Sequence, residues 1–444
     1  MFKVGLSGFR VFERVPSVDI RPLTVLTGGN SSGKSSFLAA LRILSDFSRW
    51  ESGSASFNKD PFFLGSYDQI AHHRGGRYGR VKDFSLFYNG KPRSDIRSLR
   101  LGTEQQLPTS ASIVMTYKKR LGQPVLSNLS YSSDLSRATF SYSTDWASVK
   151  IEASLGEATF SRTMNSDELP PPELITSQPI YMSSLLDRMI VPRSEGSDYL
   201  EASRQIRQVS RHLETSFNIV PQIGFVGAPV RTRPLRTYDP IDITPQSEGS
   251  HVPSQMAQLA RTKPSEWERT RAELVKFGQT SGLFKDLEVR TLGRGDSDPF
   301  QVNVVINGPK RNIVDVGYGV SQAIPIVFEL SRRRRDLLYM MQQPEVHLHP
   351  EAQAALGSFL VGSVKRNPGY IVLETHSDFL IDRLRRHVRN GEIGAEDIAL
   401  LYFHRDDFSS SITQLELNDA GEITGAPDDY RRFFLREQIE NLGF

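Results

Sequence analysis

The sequence predicts an α/β protein with a mixed central sheet and an inserted region that is first β-rich and then helical. Three patterns lead to this prediction: an apolar strand, glycine turn and amphipathic helix near the N-terminus, a Ser-, Thr- and Tyr-rich alternation over 83–161, and helices alternating with apolar strands from Ser321 onward. Helices that alternate with short apolar strands are typical of a parallel sheet with helical crossovers. A chain of 444 residues is long enough for about two to three domains.

The N-terminal elements are predicted as strands over Phe2–Leu6 and Ile20–Leu26 and a helix over Lys34–Trp50. The second strand is an apolar run that leads into Gly28 and a glycine turn. In the helix, apolar residues recur at steps of three and four, which gives it one apolar face.

The middle of the chain predicts an antiparallel insertion over 83–161, helical segments over 181–217 and 252–284, and a hairpin over 287–307. The elements after the hairpin are predicted as helix Ser321–Arg335, strand Leu337–Met341, helix Pro350–Arg366, strand Tyr370–Glu374 and helix Asp378–Arg389. We therefore expect an N-terminal lobe over 1–82, an inserted region over 83–222 and a C-terminal lobe over 223–444.

Composition excludes several classes of protein. Hydrophobic residues make up 38% of the chain and charged residues 24%, which is too much burial material for a disordered chain. The absence of cysteine excludes disulfides, zinc ribbons and cysteine nucleophiles. A net charge of +3 is too small to indicate nucleic-acid binding by itself. No stretch approaches the roughly 18–20 apolar residues of a membrane span, and the first ten residues lack a signal-peptide pattern, so we expect a cytoplasmic protein outside the membrane.

Residues 28–35 match the P-loop pattern of glycine, four residues, glycine, lysine and serine. Because this loop follows an apolar strand and opens a helix, its backbone N–H groups can surround a phosphate at the positive end of the helix. Lys34 can then reach the β- and γ-phosphates, and Ser35 can ligate Mg²⁺. The predicted cofactors are ATP and Mg²⁺, and the predicted nucleotide-binding residues here are Gly28, Asn30, Ser31, Ser32, Gly33, Lys34, Ser35 and Ser36.

Further motifs lie at the ends of the predicted C-terminal strands. Leu337–Met341 is followed by Gln-Gln-Pro-Glu-Val-His-Leu-His-Pro, and Tyr370–Glu374 by Thr-His-Ser-Asp. P-loop enzymes use a carboxylate at the tip of a neighbouring strand to hold magnesium or to activate water. A glycine turn, Asp315–Gln322, lies just before the first of these strands.

With these motifs in this order, the chain resembles the ABC-like ATPases related to SMC and RecF proteins. Among them it is similar to the ATPase half of OLD-type nucleases and to ATPase subunits of antiphage systems of the Septu and PARIS types. The resemblance implies an ABC-type, AAA-class P-loop ATPase that forms a homodimer or higher oligomer around ATP. It also implies a separate effector protein, a nuclease or toxin, that the ATPase gates in antiviral defence or DNA surveillance.

The same resemblance implies roles for residues outside the P-loop. Gly317–Ser321 looks like the signature turn of the family, so Gly319 and Ser321 would close over the γ-phosphate of the partner subunit's ATP. His376 matches the switch histidine that senses the γ-phosphate, and Gln69 falls where the metal-binding glutamine of a Q-loop is expected.

The chain departs from its relatives at Gln342 and Gln343, where they carry one or two acids. A glutamine cannot accept a proton as a general base. Glu345 is therefore the predicted catalytic carboxylate, with His376 as the second predicted catalytic residue. Two alternatives stay open: a scaffold or sensor that binds ATP without hydrolysing it and assembles with a partner, or a glutamine substitution that traps bound ATP.

A metal site and a nuclease site are weaker interpretations. Glu345, His347 and His349 alternate, so in an extended segment they would share one face and resemble a metal site. Asp406 and Asp407 lack the clustered acids of a two-metal nuclease. We therefore expect a separate partner to perform any cleavage.

Arginines cluster in three places: in the segment 332–335, on the helix 378–389, and in a loop as Arg231, Arg233 and Arg236. Cations near a helix C-terminus are favoured by the helix dipole alone. A structural role and a nucleic-acid or partner surface both stay open for the helical clusters. The loop could supply an arginine that reaches phosphate, or only solvated and ion-paired side chains.

Overall fold

The computed structural model describes residues 1–47, 57–75, 79–92, 107–168, 180–189, 197–239, 243–293, 295, 297–427 and 430. Up to residue 222 the elements are β1 (Phe2–Phe9), β2 (Phe12–Ile20), β3 (Leu23–Gly28), α1 (Lys34–Phe47), β4 (Asn58–Lys59), β5 (Phe62–Phe63), α2 (Tyr67–Ile70), β6 (Asp83–Gly90), β7 (Ala111–Arg120), β8 (Gln123–Ser133), β9 (Ser136–Tyr142), β10 (Ser148–Leu155), β11 (Ala158–Asn165), α3 (Ile180–Asp187) and α4 (Ser197–Phe217).

From residue 223 onward the elements are β12 (Ile223–Gly227), α5 (Val252–Thr262), α6 (Pro264–Thr280), β13 (Asp286–Thr291), β14 (Phe300–Val305), β15 (Arg311–Asn312), α7 (Tyr318–Ser331), β16 (Leu338–Gln342), α8 (Pro350–Arg366), β17 (Tyr370–Glu374), α9 (Asp378–Arg389), β18 (Ile398–Arg405), β19 (Ser410–Leu417) and β20 (Ile423–Thr424). The predicted helix–strand alternation of this region is confirmed.

The chain divides into two compact units. The first unit consists of Met1–Ile20, Gly29–Gln222 and Phe403–Ile412, and the second of Arg21–Gly28, Ile223–Tyr402 and Thr413–Phe444. The division at residues 82 and 222 that the sequence suggests stays a prediction.

The first unit contains an eight-stranded antiparallel sheet in the order β11-β10-β9-β8-β7-β6-β1-β2. Its strands β6 and β7 alternate between buried and partly buried residues, which is the pattern of a sheet with one face on a core. An aromatic cluster packs on this face, and the rings of Phe84 and Tyr117 stack at a centroid distance of 5.2 Å. The predicted antiparallel insertion is confirmed.

The second unit is built on a seven-stranded mixed sheet in the order β12-β16-β17-β3-β18-β19-β20. The pairs β12–β16, β16–β17 and β17–β3 are parallel, and β19–β20 is antiparallel. Both faces of the parallel strands are covered, and every residue of β16 and β17 is buried. Because parallel strands end at one edge of their sheet, the ends of β3, β17 and β16 meet at one edge. The predicted α/β class with a mixed sheet is confirmed.

Strand β2 was not expected from the sequence, which predicts strands only over Phe2–Leu6 and Ile20–Leu26. The register between β1 and β2 shifts between Val4 and Leu6, which pair with Val18 and Val15. This bulge interrupts the two-residue alternation, and Pro16 falls inside it, as is common for proline in strands. The sequence pattern therefore conceals a strand that the tertiary pairing defines.

The helix that opens at the P-loop covers Lys34–Phe47, and Trp50, where it is predicted to end, lies outside the described residues. Among the helices that the structure describes, each is too short or too polar to cross a bilayer.

Candidate functional site

The P-loop adopts the backbone conformation that phosphate binding requires. Gly28, Ser31 and Gly33 have φ angles of 137°, 58° and 102°, in the region that favours glycine. Alternation of such residues with ordinary ones turns successive N–H groups toward one concavity. The first helical hydrogen bond of α1 joins the N–H of Phe37 to the carbonyl of Gly33 at 2.9 Å. The loop therefore leads directly into the positive end of a 14-residue helix.

Lys34 folds back over the loop. Its side chain is only 3% exposed, and its Nζ donates to the Gly29 carbonyl at 2.8 Å. The hydroxyl of Ser32 is buried and has no hydrogen-bond partner among the described residues. A buried ammonium and an unsatisfied buried hydroxyl beside a concave set of N–H groups fit an anionic oxygen ligand such as a phosphate.

Two contacts fix the shape of the loop from within the first unit. A Cβ on Gly33 would lie 2.6 Å from the ring of Phe12 and 2.7 Å from a methyl of Val11, so these side chains would have to move, and the φ of 102° also favours glycine. Arg405 donates from Nη1 to the Ser31 carbonyl at 2.9 Å. Nothing in the sequence pattern indicates Arg405, because it lies 374 residues from the loop that it contacts.

The remaining predicted nucleotide residues of this loop have different exposures. Asn30 and Ser35 are exposed, and Ser36 is half-buried. Gln69, the predicted metal ligand, lies in α2, where its Oε1 accepts the backbone N–H of Ser66 at 2.8 Å as part of a capping box. Its metal role stays a prediction, and Oε1 would have to leave this bond to fulfil it.

In the second unit, residues 342–349 form a compact turn, which we call the carboxylate turn. The N–H of Gln343 donates to the Glu374 carbonyl at 2.8 Å, and the N–H of Leu348 donates to the Glu345 carbonyl at 3.0 Å. Gln343 and His347 have positive φ angles of 43° and 69°. The segment is therefore not extended, and the condition under which Glu345, His347 and His349 would share one face is not met, since the backbone reverses between them. Within the described part of the chain, no group of His, Asp and Glu is arranged to hold a metal.

Glu345 is the buried acid of the carboxylate turn. It is 6% exposed, and its Oε1 accepts the backbone N–H of His376 at 2.8 Å. Its Oε2 is buried without a hydrogen-bond partner in the described structure. Burial raises the pKa of Glu345, and hydrogen bonds from the His376 backbone and the Thr375 hydroxyl, together with the charge of Arg231, oppose that rise.

Arg231 lies against the same turn. It is 4% exposed, and its Nη2 donates to the Gln343 carbonyl at 3.1 Å, while Nε and Nη1 are buried without a hydrogen-bond partner among the described residues. Burial lowers the pKa of Arg231 to about 10, against the attraction of Glu345 and Tyr318.

The other two arginines of this loop behave differently from Arg231. Arg233 is exposed, and Arg236 forms an exposed ion pair with Asp315, with a 2.9 Å contact from Nη1 to Oδ2. Only one arginine of the sequence cluster therefore reaches the carboxylate turn.

The turn predicted as a signature motif packs against the carboxylate turn. α7 begins at Tyr318 after Gly317, and a Cβ on Gly319 would lie 2.8 Å from the carbonyl oxygen of His347. The rings of Tyr318 and His347 meet edge to face at 4.9 Å. The Ser321 hydroxyl is 7% exposed and donates to the Tyr318 carbonyl at 2.8 Å. The backbone at the start of this helix has no side-chain cap.

His376 follows β17 with its side chain exposed. After it, Ser377 caps α9 by accepting the N–H of Leu380 at 3.0 Å, and its hydroxyl donates to Oε1 of Gln353 at 2.6 Å. His376 is thus held between its backbone hydrogen bond to Glu345 and a capped helix.

The basic residues of α9 make hydrogen bonds inside the second unit. Arg383 donates to the Ser358 hydroxyl at 2.9 Å, Arg385 to the Gly421 carbonyl at 2.8 Å, and Arg389 to the Ala420 carbonyl at 3.2 Å. In the segment 332–335, Arg333 is buried and lies over the ring of Tyr339. These contacts support the structural role for both clusters.

Two family models match parts of the chain. Residues 248–381 match a model described as "AAA ATPase domain", and residues 23–142 match one described as "AAA domain, putative AbiEii toxin, Type IV TA system". The first match includes the turn predicted as a signature motif, the carboxylate turn and His376, and the second includes the P-loop. No curated protein matches the sequence.

Solved structures of SMC heads are similar to the chain at low identity. The SMC head domain from Thermotoga maritima is 10% identical, with 94% of this chain and 98% of that chain covered and a TM-score of 0.42. An SMC head bound to the C-winged helix domain of ScpA is 12% identical, with coverages of 94% and 98% and a TM-score of 0.45. An SMC head with an extended coiled coil, bound to the C-terminal domain of ScpA and derived from Pyrococcus furiosus, is 11% identical, with coverages of 99% and 100% and a TM-score of 0.41. The family matches support an AAA-type ATPase, and they fall on the segments that carry the predicted motifs.

Proposed function

We propose that the protein binds ATP and Mg²⁺, hydrolyses ATP, and uses the nucleotide state to gate a separate effector protein. The observation that carries this proposal is the P-loop, where three left-handed residues, a folded-back lysine and an unsatisfied buried hydroxyl form one concave anion site. Such an arrangement at a helix N-terminus suits the β- and γ-phosphates of a nucleotide.

In this proposal the predicted site residues divide the work of binding phosphate, holding Mg²⁺ and activating water. The N–H groups of the P-loop and Lys34 bind the phosphates, and Ser35 would hold Mg²⁺, which neutralises charge on the phosphate oxygens when it is bound. Glu345 accepts a proton from the attacking water, and His376 senses the γ-phosphate. The backbone bond from His376 to Glu345 fixes one carboxylate oxygen, so the other, Oε2, is left to act on water.

We propose that two chains dimerise with ATP between them. The start of α7 supports this step, because its N–H groups lack a side-chain cap and a Cβ on Gly317 would meet nothing within 4 Å. An open helix N-terminus attracts an anion such as the γ-phosphate of ATP bound by another copy. In this proposal Gly319 and Ser321 shape that helix start.

The nature of the effector is the part that depends on the resemblance alone. A nuclease or toxin gated by the ATPase, in antiphage defence or DNA surveillance, agrees with the resemblance to OLD-type, Septu and PARIS ATPases. Nucleic acid is a further proposed ligand of the assembly rather than of the arginines on α9, since those arginines bond within the chain.

A second function, an ATP-bound scaffold that does not hydrolyse ATP, is favoured by Gln342. This residue ends β16 at the position where relatives carry an acid, and it is 8% exposed. An amide there cannot serve as a base. In this case ATP would be a structural ligand, and assembly with a partner would be the function.

Phosphate release from ATP separates the two functions. We expect turnover by the wild type in the presence of Mg²⁺, loss of ATP binding in Lys34→Ala, and retained binding with at least about a hundredfold lower turnover in Glu345→Gln. Unchanged ATP affinity in Lys34→Ala would contradict nucleotide binding at the P-loop. Stoichiometric bound ATP after purification, with phosphate release no higher than in Lys34→Ala, would favour the scaffold.

A further inference from the structure

We propose that Arg231 is a positioning residue that clamps the carboxylate turn and supplies the positive counter-charge for the buried Glu345. This inference rests on the proposed function, because it gives Glu345 the task of a base. Arg231 is not assigned by the family motifs, and its side chain approaches the turn from the loop that follows β12.

The first observation is the strained backbone that Arg231 holds. Gln343 has a φ of 43°, which is unusual for a residue other than glycine. Its N–H donates to Glu374 at 2.8 Å, and its carbonyl accepts both the N–H of Val346 at 3.2 Å and Nη2 of Arg231 at 3.1 Å. A conformation of this kind persists where several contacts determine it, so Arg231 helps to fix the turn two residues before Glu345.

The second observation is a pair of buried, unsatisfied groups of opposite charge. Nε and Nη1 of Arg231 lack hydrogen-bond partners among the described residues, as does Oε2 of Glu345. Both side chains are less than about a tenth exposed, and each stabilises the charged form of the other. A buried charge without a counter-charge is costly, so removal of Arg231 leaves Glu345 as an uncompensated buried acid.

Other titratable groups lie in the carboxylate turn, at the end of β17 or near Arg231, and must be controlled for. They are Tyr318 on α7, His347 and His349 in the carboxylate turn, and Glu374 and His376 at the end of β17. None of them is removed in the variants below, and Glu345→Gln isolates the part of any pH effect that belongs to Glu345.

The first test is a double-mutant cycle of urea unfolding with Arg231→Met, Glu345→Gln and the double variant. At about pH 8, where both groups are charged, we expect Arg231→Met to lower the urea midpoint more in the wild type than in the Glu345→Gln background. A carboxylate whose folded pKa is raised destabilises the fold as pH rises through that pKa. The loss in urea midpoint caused by Arg231→Met should therefore become more similar in the wild type and in Glu345→Gln as pH falls toward about 4.5.

The urea experiment includes a matched control and a second variant for the case in which Arg231→Met does not fold. Arg233→Met, an exposed arginine of the same loop, serves as the matched control and should leave the urea midpoint unchanged. If Arg231→Met does not fold, we expect the double variant to fold, because it lacks the unpaired acid. The inference would be overturned if Arg231→Met lowered the urea midpoint equally in the wild type and in Glu345→Gln at about pH 8. It would also be overturned if neither Arg231→Met nor the double variant folded.

The second test uses the pH dependence of ATP turnover. We expect the acidic limb of kcat to move up by about one pH unit in Arg231→Met and to stay near the wild-type position in Arg231→Lys, which keeps a positive charge. If the acidic limb of kcat did not move in Arg231→Met, or moved equally in Arg231→Lys, the role of the positive charge at position 231 would be contradicted.

The two tests separate this inference from the proposed function. A wild type without any turnover contradicts hydrolysis, yet the urea cycle still decides whether Arg231 supports Glu345. An enzyme with normal turnover and no coupling in the urea cycle contradicts the inference alone.

Discussion

At the scale of single residues, the behaviour of Glu345 is decided by competition between burial and its neighbours. Burial is the largest influence on its pKa and raises it, whereas three hydrogen bonds, from the His376 and Glu345 backbone and the Thr375 side chain, and the charge of Arg231 act in the opposite direction. One carboxylate oxygen is fixed by the His376 backbone at 2.8 Å and the other is unsatisfied. An acid in this state can accept a proton near neutral pH more readily than an ordinary, exposed glutamate.

We therefore expect a pH profile of ATP turnover with a raised acidic limb. Because Glu345 must be deprotonated to act as a base and its pKa lies above the ordinary value, kcat should begin to fall at a pH above the ordinary glutamate range of about 4.3. The measurement is kcat at saturating ATP across pH, with the Lys34→Ala background subtracted. A wild-type profile that stays flat down to about pH 4.5 would argue against Glu345 as the base.

The P-loop and the carboxylate turn differ in how far they could be predicted from residues. The P-loop pattern specifies its own backbone, because glycine at positions 28 and 33 permits the φ angles that phosphate binding needs. The hydrogen bond from Arg405 to the Ser31 carbonyl could not be predicted, since no local pattern joins residues so distant in the chain. Arg231 was one of three equivalent candidates by sequence, and only its burial and its bond to Gln343 distinguish it.

At the scale of elements, the start of α7 and the carboxylate turn form one packed contact. Gly319 lies so close to the His347 carbonyl that a Cβ would be 2.8 Å away, and the ring of Tyr318 covers His347 from the side. A change at the start of this helix must therefore move the turn that carries Glu345. The helix order was readable from periodicity, whereas this contact was not, because it depends on how two segments pack.

Substitution of Gly319 should reveal this contact. We expect Gly319→Ala to lower the free energy of unfolding by about 1–3 kcal/mol, because the new methyl overlaps the His347 carbonyl oxygen. Gly317→Ser is the matched control: its side chain enters open space at the helix N-cap, where serine is favoured, so stability should be unchanged or slightly higher. Urea unfolding of both variants is the measurement. Equal stability of the two variants would show that the structure accommodates a Cβ at position 319 beside the His347 carbonyl without a loss of stability.

At the scale of the whole molecule, neither the mild net charge of +3 nor the arginine clusters point to a nucleic-acid surface. Arg383, Arg385 and Arg389 of α9 donate to a hydroxyl or to backbone carbonyls of their own unit. Assembly is then a better guide to function than surface charge. The uncapped start of α7 and the P-loop on one chain suit the proposed dimer, in which ATP lies between two copies.

Dimer formation should depend on ATP. A chain of 50.0 kDa should give a species of about 100 kDa when Glu345→Gln is mixed with ATP and Mg²⁺, because bound ATP is retained when hydrolysis is slow. Light scattering after size exclusion measures the mass, and Lys34→Ala with ATP is the control that should keep the mass it has without nucleotide. A mass for Glu345→Gln that does not respond to ATP would contradict nucleotide-dependent dimerisation.

The sequence by itself determined the α/β class, the P-loop and the order of the C-terminal helices and strands, because each depends on local periodicity or on residues adjacent in the chain. Tertiary structure alone decided that β2 is a strand, that 342–349 is a turn rather than an extended segment, and that Arg231 is buried against this turn. The physical reason is common to all three. A bulged register, a left-handed backbone and the burial of an arginine against a turn are set by contacts between distant segments, which local sequence patterns do not encode.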